Sequence, residues 1–139
     1  MNLTLNGVAT ALVLILLTGC GGPKLVPVQG IATRGGQPLK NLRITFYPAE
    51  GPASTADTDE DGHFELVHTK DQKGAILGKH RVTGVLMPRN AKEEMDLAAG
   101  KIKLHPEQEA IRQKFGKLES TPLTVEITKA ETNLELKFD

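Results

Sequence analysis

The sequence predicts an all-β domain, a seven-stranded antiparallel Greek-key sandwich with a partly helical insertion before its last two strands. Three observations predict it. Apolar and polar residues alternate with a period of two through most of the chain, the pattern of strands with one buried face. Gly and Pro interrupt these runs repeatedly. Residues 89–119 alone abandon the rhythm for helix-prone composition.

Val26, Val28, Ile31 and Thr33 form the first strand, which Gly35-Gly36-Gln37-Pro38 turns. Leu42, Ile44 and Phe46 then alternate with Arg43, Thr45 and Tyr47, and Pro48 stops the run. A weaker strand runs from Ser54 to Thr58. Asp61-Gly62 predicts a hairpin into His63–Val67, with Phe64 and Leu66 inward, because glycine supplies the positive φ such turns demand. After the loop Gly74–Gly78 comes a strand from His80 to Met87, closed by Pro88. Leu123–Ile127 and Leu134–Phe138 are the last two, with a turn over Lys129–Asn133.

In the excursion between the strand ending at Met87 and the one beginning at Leu123, Asn90–Gly100 predicts one helix and Pro106–Gly116 another. The second has acids in its first turn and bases in its last, which suits the helix dipole. Ile111 and Phe115, four apart, share a face able to dock on the sandwich.

Ahead of the sandwich, an uncharged apolar run from Val8 to Leu17 leads into Leu17-Thr18-Gly19-Cys20-Gly21. The run of about 12 residues from Gly7 to Thr18 is too short to span a bilayer, which needs roughly 20. Apolar segment, small residues, then cysteine is the pattern of a bacterial lipoprotein signal, and Cys20 is the only cysteine. Residues 1–19 are read as the signal peptide, Cys20 as the lipidation site, and 20–25 as a lipidated tether. That tether holds the domain 26–139 within about 20 Å of the bilayer. Gly21 in place of Asp favours onward transport to the outer membrane, with the domain facing periplasm or exterior.

Removal of the signal leaves residues 20–139, enough chain to bury roughly two-thirds of its unfolded surface. With Cys20 acylated, no thiol remains for a disulfide, so packing alone holds the domain. Charge is balanced, 17 basic against 17 acidic, and Tyr47 is the only tyrosine beside no tryptophan. No basic stripe with stacking aromatics exists, which excludes nucleic acid as a partner. The same balance leaves anchoring to the acyl chains.

Val28-Gln29-Gly30, Gly36-Gln37-Pro38-Leu39, Ile44-Thr45-Phe46-Tyr47-Pro48, Thr58–Phe64, Gly74–His80 and Thr121–Glu126 follow in that order. Together, behind the lipid-attachment motif, they resemble the carboxypeptidase regulatory-like, or transthyretin-like, domain of small bacterial lipoproteins. The resemblance covers residues 26–139 and matches poorly over 89–110. It implies a prealbumin-like sandwich, related in layout to immunoglobulin domains, and no catalytic activity. Transthyretin-like hydrolases end in Tyr-Arg-Gly-Ser, whereas this chain ends Leu136-Lys137-Phe138-Asp139, so their activity is not implied.

Catalytic and metal chemistry is sparse in the residues. Asp57-x-Asp59-x-Asp61-Gly62 matches the first half of an EF-hand loop, with oxygen ligands at alternate positions and glycine at the sixth. The twelfth position is His68, where a bidentate Glu is required, and no helical pattern flanks the loop. A turn whose Asp side chains bond backbone amides is the stronger reading, so Asp57, Asp59 and Asp61 stay weak metal candidates. His63, His68, His80 and His105 lack zinc spacing. Ser54 and Ser120 are the only serines, and neither sits in a Gly-x-Ser-x-Gly elbow. The expectation is a non-catalytic, lipid-anchored envelope module that uses no cofactor. It binds an envelope protein or a glycan, or serves structurally. A calcium-binding sandwich is the alternative and a hydrolase the weakest of the three. Met95, Leu97, Ile102 and Leu104 place any recognition surface in the excursion or the sandwich-end loops, not on the sheet faces.

Overall fold

The computed structural model describes residues 22–139; the expected signal peptide, residues 1–19, and Cys20 lie outside the described residues. Strands Leu25–Val26 (β1), Val28–Arg34 (β2), Gln37–Pro38 (β3), Leu42–Pro48 (β4), Ser54–Asp57 (β5), His63–Glu65 (β6) and Val67–Thr69 (β7) come first. Gln72–Lys73 (β8), Ala75–Ile76 (β9) and Gly78–Leu86 (β10) follow. Helices Ala91–Ala98 (α1) and Pro106–Phe115 (α2) then precede Thr124–Ile127 (β11) and Glu131–Lys137 (β12). With 44% of the described residues in strands and 15% in helices, the structure is mostly β and compatible with the expected all-β sandwich.

The larger sheet has the order β11-β10-β4-β5-β7-β8, antiparallel throughout. The smaller has β2 at its centre, with β12 on one side and β3 and β6 on the other. The inward residues of both sheets make one core. Leu42, Ile44, Phe46 and Val82 from the large sheet meet Val28, Ala32, Phe64 and Leu136 from the small one. Phe46 is fully buried and Phe64 is 4% exposed, as the alternation predicts. Arg43, Thr124 and Glu126 point outward, also as expected.

Four details differ from the expected strands. His63–Val67 is two strands, because β6 pairs with β2 and β7 with β5; Leu66 lies between, its N–H donating to Val28 O at 2.9 Å. The Asp61-Gly62 turn is therefore no hairpin. It carries the chain from the large sheet to the small one, with Gly62 at φ 79°. A Cβ there would meet Ala32 O at 2.8 Å, so both conformation and space require glycine. The pairing of β12 with β2 is parallel, not antiparallel, which distant segments can adopt because no tight turn joins them. Lys129–Asn133 is only partly a turn: β12 already begins at Glu131 and carries a register shift before Leu134. The two-residue strands β1, β3, β8 and β9 show no alternation to detect.

Both expected helices form. α2 packs on β10 and buries Ile111, Phe115 and Gln108, so this half of the excursion belongs to the core. Phe115 meets Phe138 edge-on, with ring centroids 5.0 Å apart. α1 buries nothing, and Met95 (71%) and Ile102 (42%) are among the most exposed apolar side chains described.

The sandwich has two distinct ends. At one, Gly78 and Pro48 lie together, and Lys24 O accepts from Leu77 N at 3.1 Å where the chain enters. At the other, Leu86 opposes Leu42, and Met87 N donates to Asn41 O at 2.8 Å. The nine residues of β10 separate the ends by about 30 Å.

Candidate functional site

At the end remote from chain entry, the loop Pro38–Asn41, the end of β10 and the first turn of α2 enclose a cleft of about 290 Å3. Its floor is Leu39, Leu86 and Met87; its rim carries Lys40, Arg89 and His105 with Glu107. Asn41 holds the floor loop by adopting a left-handed conformation at φ 56°, which short amide side chains tolerate. Leu39 N donates to Ala32 O at 2.9 Å and pins the loop to the small sheet.

The rim is built by helix caps. His105 Nδ1 accepts from Glu107 N at 3.4 Å, while Gln108 Oε1 accepts from His105 N at 2.9 Å, a reciprocal box that opens α2. Asn90 Oδ1 accepts from Glu93 N at 2.9 Å and opens α1. Arg89 closes on Glu93 at 3.1 Å. These side-chain hydrogen bonds from Arg89, and then its backbone N–H, hold the Glu93 carboxyl below the ordinary glutamate range, and they raise Arg89 in turn. Lys40 pairs with Glu60 at 3.3 Å. The cleft thus has an apolar floor and a charged rim on which Lys40 and Arg89 are ion-paired. Its lining contains no serine, threonine or cysteine.

The Asp residues singled out by the sequence divide. Asp57 is held by Arg43 through two bonds of 2.8 Å, and this hydrogen bonding lowers its carboxyl from the ordinary range. Asp59 Oδ1 accepts from Asp61 N and His63 N, both at 2.9 Å, as the turn reading expects. Ligand atoms of Asp59, Asp61 and His63 lie within 4.8 Å of one another on the exposed turn, so the cluster the fold assembles contains His63 and leaves out Asp57. His68, the twelfth position of the loop pattern, is instead bonded through Nδ1 to Ser54 Oγ at 3.2 Å. Ser54 is 1% exposed and closed to substrate.

His80 was not marked by any motif, yet it is the most enclosed titratable group of the domain at 1% exposure. Its Nε2 lies 2.6 Å from Ile76 O; a carbonyl only accepts, so the proton sits on Nε2. Nδ1 is buried without a partner, and the ring as a whole lies 5.6 Å from that of Phe46, centroid to centroid. Its parity with Val82 and Gly84 on β10 was the available signal. The four histidines occupy separate places and form no common centre.

No family model matches the chain, and no curated protein or solved structure matches it either. Among the described residues, no helix is long and apolar enough to cross a membrane.

Proposed function

We propose that this chain is a non-catalytic, lipid-anchored module of the bacterial cell envelope, attached through Cys20 to the outer membrane. Its far-end cleft and α1 receive an envelope protein or glycan. The finer fold belongs to the same reading: the order of motifs supports a seven-stranded Greek-key, prealbumin-like sandwich of the carboxypeptidase regulatory-like kind, with β6 and β7 as the two halves of one strand and β1, β3, β8 and β9 as short additions. The observation behind it is the separation of roles along the fold. The chain enters at one end, while the cleft and the unburied α1 project from the other. Recognition elements at a sandwich end, carried by loops on a rigid core, fit a binding module better than a catalyst.

Two measurements test it. Cys20→Ser abolishes membrane attachment, read by fractionation after a high-salt wash, because no membrane-crossing helix is described to replace the acyl group. A photo-crosslinking side chain placed at Met95 or Arg89 in living cells captures a defined envelope component, and one placed at Thr45 or Glu126 on the sheet faces does not. Equal capture from both sets overturns the cleft as the recognition surface.

The calcium reading keeps one observation in its favour, the approach of Asp59, Asp61 and His63 within 4.8 Å. A melting temperature unchanged between calcium and chelator removes it.

A further inference from the structure

The fold collects at its entry end four lysines that the sequence scatters over a hundred positions. Lys24 precedes β1 and its carbonyl is bonded to Leu77 N. Lys70 sits at the tip joining β7 to β8. Thr55 opposes Val67, so the tip extends past Ser54 toward the entry end. Lys79 lies on β10 beside His80, which opposes Pro48. Lys129 lies between Ile127, which opposes Gly78, and Glu131, whose N–H donates to Pro27 O. All four are exposed, and among the described residues none of their ammonium groups enters an ion pair. By contrast, the far-end cations Lys40, Arg89, Lys92 and Lys101 are all paired with carboxylates.

Between these lysines the same end is apolar. Pro23, Pro48, Ala49, Ile76 and Leu77 line a hollow of about 350 Å3 open to solvent. Glu50, Asp71, Glu126 and Glu131 share this end, but on stems shorter than lysine's four methylenes. Glu126 stands directly opposite Lys79 in the β10–β11 ladder, and an extended lysine outreaches each of these carboxylates.

Chain length decides what this end faces. Four residue steps separate Cys20 from Lys24, at most about 14 Å. Resting on the lipid-anchor reading above, we infer that the entry end of the sandwich sits on the phospholipid headgroups, Lys24, Lys70, Lys79 and Lys129 reaching to phosphates. The domain is then held upright with its cleft pointing away from the membrane. Acyl chains supply attachment, and the lysines supply orientation. Ammonium groups at a headgroup surface act within a Debye length, which the short tether satisfies.

The test uses the whole protein purified from cell membranes and placed in vesicles of phosphatidylethanolamine and phosphatidylglycerol. Lysines are modified with a water-soluble acylating reagent and followed by mass spectrometry, with Lys103 and Lys117 as internal references away from this end. The comparison is a chain carrying about twenty Gly/Ser residues after Gly22, which lengthens the tether by roughly 25 Å. In the native chain the four lysines react several-fold more slowly, relative to the references, than in the long-tether chain. The fourfold change K24Q/K70Q/K79Q/K129Q, at exposed positions without partners, leaves the fold intact and frees the domain to tilt. Amide exchange in the Gly51 and Gly74–Gly78 loops then rises to the level of the long-tether chain.

Equal labelling in native and long-tether chains, with Cys20 acylated by intact mass, overturns the orientation alone. An intact mass without acyl groups overturns the anchor reading and the orientation with it.

Discussion

Gly84 lies directly beneath the ring of Phe138: a Cβ at this position would stand 2.4 Å from Cε1 of the ring. Phe138 is fully buried, wedged by Phe115 and fixed through its N–H to Thr33 O at 2.8 Å. The ring therefore has little room to yield, and glycine on β10 is required by packing and not by dihedral angle. Gly84→Ala costs about 1–3 kcal/mol by overpacking. A denaturant titration reads it, and a loss under a few tenths of a kcal/mol would show that the ring moves aside.

Phe46 and Phe64 supply the centre of the two inner faces. Phe46→Ala or Phe64→Ala lowers stability by about 3–5 kcal/mol, a large share of the roughly 5–15 kcal/mol typical of a domain. Chemical denaturation measures this. A shift below about 1 kcal/mol contradicts their burial.

The Arg43–Asp57 pair adds a small acid-dependent term. Hydrogen bonding to Arg43 lowers the Asp57 carboxyl in the folded state, so the stabilisation is present above the unfolded-state value and fades as pH falls through the lowered one. Both side chains are about half exposed (51% and 54%), which limits the contribution to about 1 kcal/mol or less. Asp57→Asn lowers stability at neutral pH by that amount and by nothing in strong acid. A constant difference across pH would assign the effect to something other than the ion pair.

The two halves of the excursion respond oppositely to change. Deleting residues 90–104 and bridging the gap with a short Gly/Ser linker removes α1, which buries nothing, and leaves the melting temperature within a few degrees. Ile111→Ala in α2 costs about 2–5 kcal/mol, because that side chain is fully enclosed. Unfolding of the deletion variant would show that Leu97 and Leu104, which are partly covered, complete the core.

Much of the fold was readable because β4, β10 and α2 announce themselves by periodicity and by cap residues. Pairing was not readable. Leu66 switches sheets without any break in the alternation 64–66, since both neighbouring strands want the same inward parity. Likewise, nothing local in Glu131–Lys137 says that its partner is β2 or that the pair is parallel. At the candidate site, the apolar residues Met95, Leu97, Ile102 and Leu104 that mark the excursion do not line the cleft. The cleft itself is made of Leu39, Leu86 and Gln108, which come together only through tertiary structure. Asp57 illustrates the limit of motif spacing: its position fits a cation loop, but Arg43 stands opposite it across the β4–β5 ladder.

The small sheet is closed by β12 along β2, and Gly35 N reaches Asp139 Oδ1 at 2.7 Å across 104 positions of sequence. Half of the core thus has no lid until residues 131–138 have been delivered. Contacts so remote in sequence form slowly, because the loop between them must close before they give anything back. A chain synthesised from its N-terminus therefore completes the small sheet only when this strand is delivered. Until then the inward residues of β2 lack the Leu136 and Phe138 side chains that cover them in the finished fold.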